Sequence, residues 1–309
     1  MDRDGCTRRE LIGLIAAGVV AGHLPQSGRS AENPRMVTRR VPGTEEVLPV
    51  IGMGSSNTFD VGGGAAEREP LSEVLRFFTQ AGGSVIDTSP MYGRSEQVLG
   101  DLFAELALRP KLWLATKVWT DGRESGVDQI TESMRRLRTD RLELLQIHNL
   151  RDWREHLPTL RGMKDAGKLR YTGITHYRAD ALADVERVLR AERFDWVQIN
   201  YSLAEREAER SLFPYCQEHG IAILANRPFA DGALFERTRG KSLPPWIAEV
   251  GCASWAQFFL RYAASHPAVT CVIPATAKPR HMQDNAAAGA EPLPDARQRA
   301  RMAEYFAAL

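Results

Sequence analysis

Short apolar runs and amphipathic helical stretches alternate eight times along this chain, and that alternation constrains its fold more than any other feature. The runs cover residues 49–54, 85–87, 112–116, 142–147, 169–175, 196–199, 221–225 and 270–273. Each is short enough for a buried strand, and each is followed by apolar positions at helical spacing, such as Leu71, Val74, Leu75 and Phe78 after the first. Eight such units over about 250 residues predict an α/β protein, a (β/α)8 TIM barrel. Residues 36–41 and 47–53 flank the turn signal Pro42-Gly43-Thr44, so an N-terminal β-hairpin is expected to lead into the first strand. A doubly wound open sheet is the competing arrangement. The unit count and the lack of a G-x-G-x-x-G after the first run argue against it. No second domain is indicated: residues 35–309 read as one barrel, preceded by a leader over residues 1–34.

That leader has its own pattern. Arg8 and Arg9 stand directly before a Gly/Ala-rich apolar stretch over residues 11–21, and a polar tail with Gly28 and Ser30 follows. A charged region, a short apolar region and a small-residue region in that order describe a signal peptide. The adjacent arginines resemble a bacterial twin-arginine export signal. Export, to the periplasm, with transient use of the twin-arginine machinery, is therefore expected; the chain would stay cytoplasmic if the signal does not function. No apolar run reaches the roughly eighteen residues of a membrane span, so no stable span is expected.

The net charge is +1 with no basic block, which argues against nucleic acid as a partner. Cys216, Cys252 and Cys271 follow the leader, far apart and without metal-ligand spacing. They read as buried thiols, and neither a zinc site nor a disulfide framework is expected. So sparse a set suits a protein that folds before export.

The chemistry gathers at strand ends. Asp87 ends the second run, Tyr92 lies in the loop behind it, Lys117 ends the third and His148 the fourth. In a parallel barrel all four reach the same rim, where active sites are built. A buried lysine needs a counter-charge, which Asp87 can supply from the neighbouring strand. The ammonium in turn favours the phenolate and is expected to lower the Tyr92 pKa from about 10. A phenol tuned in this way can give a proton to a carbonyl oxygen, and His148 can orient that oxygen by a hydrogen bond.

The segments IDTSPMYG, LATKVW and LLQIHN, in this order, resemble the aldo-keto reductase family over essentially residues 36–288. The resemblance implies a (β/α)8 barrel that reduces aldehydes and ketones with NADPH, with Tyr92 as general acid, Lys117 and Asp87 lowering its pKa, and His148 positioning the carbonyl. It implies Gln198 and Thr175 as partners of the nicotinamide carboxamide. His176 stands where the family usually has Asn, and Asn226 where it commonly has a Tyr that stacks on the nicotinamide. Arg227 suits a pyrophosphate. After the eighth strand, Thr276, Asp284 and Asn285 match ribose and adenine contacts. The family's Lys and Arg are replaced by Ala275 and His281, leaving Lys278 and Arg280 to meet a 2′-phosphate. NADPH is thus favoured, with NADH possible. No metal is implied.

Phe59, Trp119, Trp153 and Tyr201 stand on loops or strand ends of the same rim and are expected to wall an apolar substrate pocket. The leading reading is an NADPH-dependent carbonyl reductase acting on a small molecule. A nucleotide-binding sensor or accessory subunit with little turnover is the alternative, and an isomerase or lyase that uses Tyr92 without a nicotinamide is a third.

Overall fold

The computed structural model describes residues 36–309, so the predicted export signal and leader lie outside the described residues. Strands β1 (Thr38–Arg40) and β2 (Val47–Pro49) form the expected antiparallel hairpin, with Thr38 opposite Pro49. Eight parallel strands follow: β3 (Met53–Gly54), β4 (Val85–Asp87), β5 (Trp113–Val118), β6 (Leu142–His148), β7 (Leu169–His176), β8 (Trp196–Asn200), β9 (Ala222–Asn226) and β10 (Val269–Val272). They pair in chain order, and bridges from Ile51 to Val272 and from Gly54 to Ala275 close the barrel.

Closure explains why the first strand is shorter than predicted. Val50 and Gly52 are turned toward β10, with Gly52 N donating to Val272 O at 2.8 Å and Val272 N to Val50 O at 2.9 Å. Only Met53 and Gly54 pair with β4.

Helices α1 (Ala65–Gln80), α2 (Ser95–Glu105), α3 (Arg123–Arg136), α4 (Trp153–Asp165), α5 (Leu182–Ala191) and α6 (Leu212–His219) fill the intervals between successive strands from β3 to β9. The connection from β9 to β10, expected to hold one helix, contains two: α7 (Ala233–Thr238) and α8 (Trp255–Ala264). Helices α9 (Pro279–Ala287) and α10 (Ala296–Ala307) end the chain. Helix α2 starts at Ser95, whose side chain does not cap it. Its hydroxyl donates to Ser55 O instead, at 3.3 Å. Helix α2 lies so close to the end of α3 that a Cβ on Gly100 would come within 1.9 Å of Arg136 O.

Alternation along the strands sends every second side chain into the barrel. Trp113, Leu144, Tyr171, Trp196 and Leu224 pack there as an apolar floor, with the Trp113 and Trp196 rings 5.0 Å apart. Val41 and Leu48, from and beside the hairpin, join that cluster. Two or four residues further along the same faces stand Lys117, Gln146, His148 and Gln198. The barrel therefore passes from an apolar floor to a polar rim.

Candidate active site

Lys117 follows Trp113 and Ala115 on the inward face of β5, and Asp87 is the last residue of β4. Lys117 Nζ donates to Asp87 Oδ2 at 2.7 Å and to Thr88 O at 2.8 Å, while the other carboxylate oxygen of Asp87 accepts from Gln198 Nε2 at 2.7 Å and Gln146 Nε2 at 3.2 Å. Both charges are buried and hydrogen-bonded, the condition under which such a pair is tolerated. Burial works against the Lys117 charge, yet Asp87 and Tyr92 outweigh it and hold the pKa above the ordinary lysine value.

Tyr92 leans over this pair, with Lys117 Nζ 5.1 Å from its ring centroid. Gly93 turns the chain from this loop toward α2 with φ +57°, and a Cβ there would strike the Asp60 carboxylate. The expectation for the phenol needs correcting. Burial raises the Tyr92 pKa above 10; Lys117 pulls it down and Asp87 pushes it up, and the net direction is upward. The phenol is therefore protonated at neutral pH, and the Lys117 charge reduces the cost of losing that proton rather than creating a phenolate.

His148 ends β6 with its ring edge-on to Tyr92, centroids 6.3 Å apart. Burial, then the charge of Lys117 and the influence of His176, lower its pKa to about 3, so the imidazole is neutral. Its Nδ1 lies 3.4 Å from Ser89 Oγ. A cavity of about 690 Å³ opens above these groups, lined among others by Asp87, Tyr92, Trp119, His148, Gln198, Asn226 and Arg227. A carboxylate paired with a buried ammonium, a protonated phenol and a neutral imidazole thus line one pocket. That set can deliver a proton and a hydrogen bond to one oxygen atom.

The model of the Aldo/keto reductase family matches residues 50–303. The methylglyoxal reductase YeaE of Escherichia coli (strain K12) is 30% identical over 247 residues, 78% of this chain and 85% of its own. The chain belongs to the aldo/keto reductase family. An aldo/keto reductase from Klebsiella pneumoniae, solved in complex with NADP and acetate, superposes with a TM-score of 0.73 at 26% identity, covering 88% of this chain and 95% of that one. A Klebsiella pneumoniae aldo-keto reductase in complex with NADPH gives 0.72 at 27%, with the same coverage. The protein is thus an NAD(P)H-dependent oxidoreductase.

In this aldo/keto reductase the residues expected at the nicotinamide end meet around one amide. Gln198 Oε1 accepts from Thr175 Oγ1 at 3.1 Å and from Asn226 Nδ2 at 3.4 Å. His176 stands apart from the cavity wall; its ring stacks on Tyr177, and its Nδ1 accepts from Arg178 N. Arg227 lines the cavity and pairs with Asp231 at 2.5 Å. The segment after β10 contributes Ile273 and Ala275 to the wall, while Thr276, Lys278, Arg280, Asp284 and Asn285 lie beyond it. Asp284 is engaged within the fold, accepting from Ser254 Oγ at 2.7 Å and Gln257 Nε2 at 2.6 Å at the start of α8.

The expected apolar wall is corrected in three of four positions. Trp119 lines the cavity. Phe59 and Tyr201 are fully buried in the outer core. The loop after β3 turns Phe59 inward, and Tyr201 packs on Phe213 and Tyr262 while its hydroxyl bonds Glu209 at 2.5 Å. Trp153 opens α4 and packs against the core under Arg154.

The wall is built instead by Met91, Tyr177, Phe229 and Phe235, with Ser55, Ser56, Asn57, Thr58 and Asn149 as polar neighbours. Most of these directly follow the ends of β3, β4, β6, β7 or β9, so the strand-end rule that selects Asp87 would have selected them too. Phe235 carried no such signal, because α7 was not anticipated.

Proposed function

We propose that this enzyme reduces aldehyde or ketone carbonyls to alcohols with NADPH, taking the proton from Tyr92. The observation that carries the reading is the buried Lys117–Asp87 pair set beneath a protonated phenol at the floor of the cavity. The residues present suit a nicotinamide dinucleotide. Among the described residues, Asn149 Oδ1 and Asn226 Oδ1 are buried acceptors without a partner, and Arg227 Nε is a buried donor without one. An amide N–H and a phosphate oxygen are the complementary groups. Asn226 and Gln198 would hold the carboxamide, and Arg227 the pyrophosphate.

When bound, the reduced nicotinamide supplies the hydride. As charge develops on the carbonyl oxygen, Tyr92 donates its hydroxyl proton to it. Lys117 stabilises the phenolate left behind, and Asp87 keeps that ammonium charged. His148, being neutral, gives a hydrogen bond rather than a proton. Single-turnover oxidation of bound NADPH by a panel of aldehydes and ketones tests the reading. Tyr92→Phe should abolish reduction with cofactor binding nearly unchanged. Comparable turnover in that variant would remove Tyr92 as the acid.

We also propose that the protein is exported through the twin-arginine route, on the strength of Arg8-Arg9 before the apolar stretch. Cys216, Cys252 and Cys271 are all buried and free, which suits a chain that folds before it meets an oxidising compartment.

A further inference from the structure

We infer that Ser89 sets the tautomer of His148, holding the ring proton on Nε2 and leaving Nδ1 bare. A neutral imidazole carries one N–H, so only one of its nitrogens can donate. Nε2 has no partner among the described residues, whereas Nδ1 faces Ser89 Oγ at 3.4 Å. Ser89 is completely buried, and its oxygen already accepts from Met91 N at 3.3 Å.

The hydroxyl proton has one acceptor within reach among the described residues, the bare Nδ1. In the opposite tautomer Nδ1–H would donate to Ser89. The serine O–H would then be an unpaired donor in a dry site, which folded proteins avoid. Direction therefore passes along a chain: Met91 N–H to Ser89 Oγ, Ser89 O–H to His148 Nδ1, and His148 Nε2–H outward. The fixed origin of that chain is a backbone amide, which can only donate. Burial keeps the ring uncharged, so its tautomer decides whether it can donate at all.

Ser89 is thus a positioning residue that acts through His148. Its effect on turnover rests on the proposed role of His148, but the tautomer itself does not. The test is a long-range 1H–15N correlation spectrum of the full chain labelled with 15N-histidine, with His148 identified by the signals lost in His148→Gln.

The expected wild-type spectrum shows a protonated Nε2 and a bare, hydrogen-bonded Nδ1. In Ser89→Ala the Nδ1 signal should move away from its hydrogen-bonded position, and a fraction of the Nδ1–H form should appear. The kcat for carbonyl reduction should fall severalfold with KM little changed. Ser89→Cys, a weaker donor of similar size, should fall between the two. A bare Nε2 in the wild type, or an unmoved Nδ1 signal in both variants, overturns the inference. Loss of stability alone would not move the ring signals. Undiminished reduction by His148→Gln would instead end the proposed role of His148 and leave the tautomer result standing.

Discussion

Lys117 Nζ lies 2.7 Å from Asp87 Oδ2, with the two side chains 1% and 3% exposed. Asp87→Asn keeps the shape but leaves the ammonium buried without its counter-charge. The expected cost is about 3–5 kcal/mol, the range for breaking a buried pair from one side. Adding Lys117→Met should recover part of that loss, because no charge then remains to be solvated. Denaturant unfolding of the two variants measures both effects, and an unshifted Asp87→Asn midpoint would mean that the pair is not dry.

The histidines give a pH dependence with a definite sign. Burial, then the charge of Lys117, lower the His148 pKa to about 3; burial, then Arg299, lower that of His266 to about 4. Both rings titrate near 6.5 in the unfolded chain, which therefore binds more protons than the native state below that value. Their contribution is fully present above pH 6.5 and is lost as the pH falls from there toward 4 and 3. Thermal unfolding between pH 7 and pH 4 should show this decline, and His148→Gln should flatten it.

Cofactor choice is testable at the end of β10. Lys278 and Arg280 are exposed, and neither side chain has an ionic partner among the described residues. Replacing both with Ala should weaken NADPH by about tenfold, the loss of one charge-assisted phosphate contact, and leave NADH binding nearly as it was. Fluorescence titration with the two cofactors side by side reads the difference. Equal weakening of both would place these cations away from the 2′-phosphate.

Packing makes its own prediction at Gly100. A methyl there would need to occupy the space of Arg136 O, 1.9 Å away, so α2 must move off α3. Gly100→Ala should destabilise the fold by about 1–3 kcal/mol despite the better helix propensity of alanine. A rise in melting temperature would show that the helix gap adjusts freely.

Arg8→Lys together with Arg9→Lys should strand folded protein inside the cell. The conservative pair keeps the charge and removes the dipeptide, so cell fractionation isolates the signal itself. Unaltered export would point to another route.

Fold class and the location of the chemistry were legible because both depend on periodicity. A strand repeats every two residues and a barrel has one chemical rim, so Asp87, Lys117 and His148 at successive strand ends had to share it. The same logic covers Gln198, whose amide reaches Asp87 from across the barrel. Loops follow no period. Phe59 and Tyr201 follow strand ends at the expected rim, yet both side chains are buried in the outer core rather than at the cavity wall.

The amino-acid order by itself determined eight strand–helix units and which residue types end each strand. Only the tertiary structure decided how strongly the phenol is desolvated, and with it the upward direction of the Tyr92 pKa. It alone brought Ser89 against His148, fifty-nine residues further along the chain. The physical reason is common to both: desolvation and hydrogen-bond pairing depend on distances across the barrel, and those are set by closure and loop packing rather than by any local pattern.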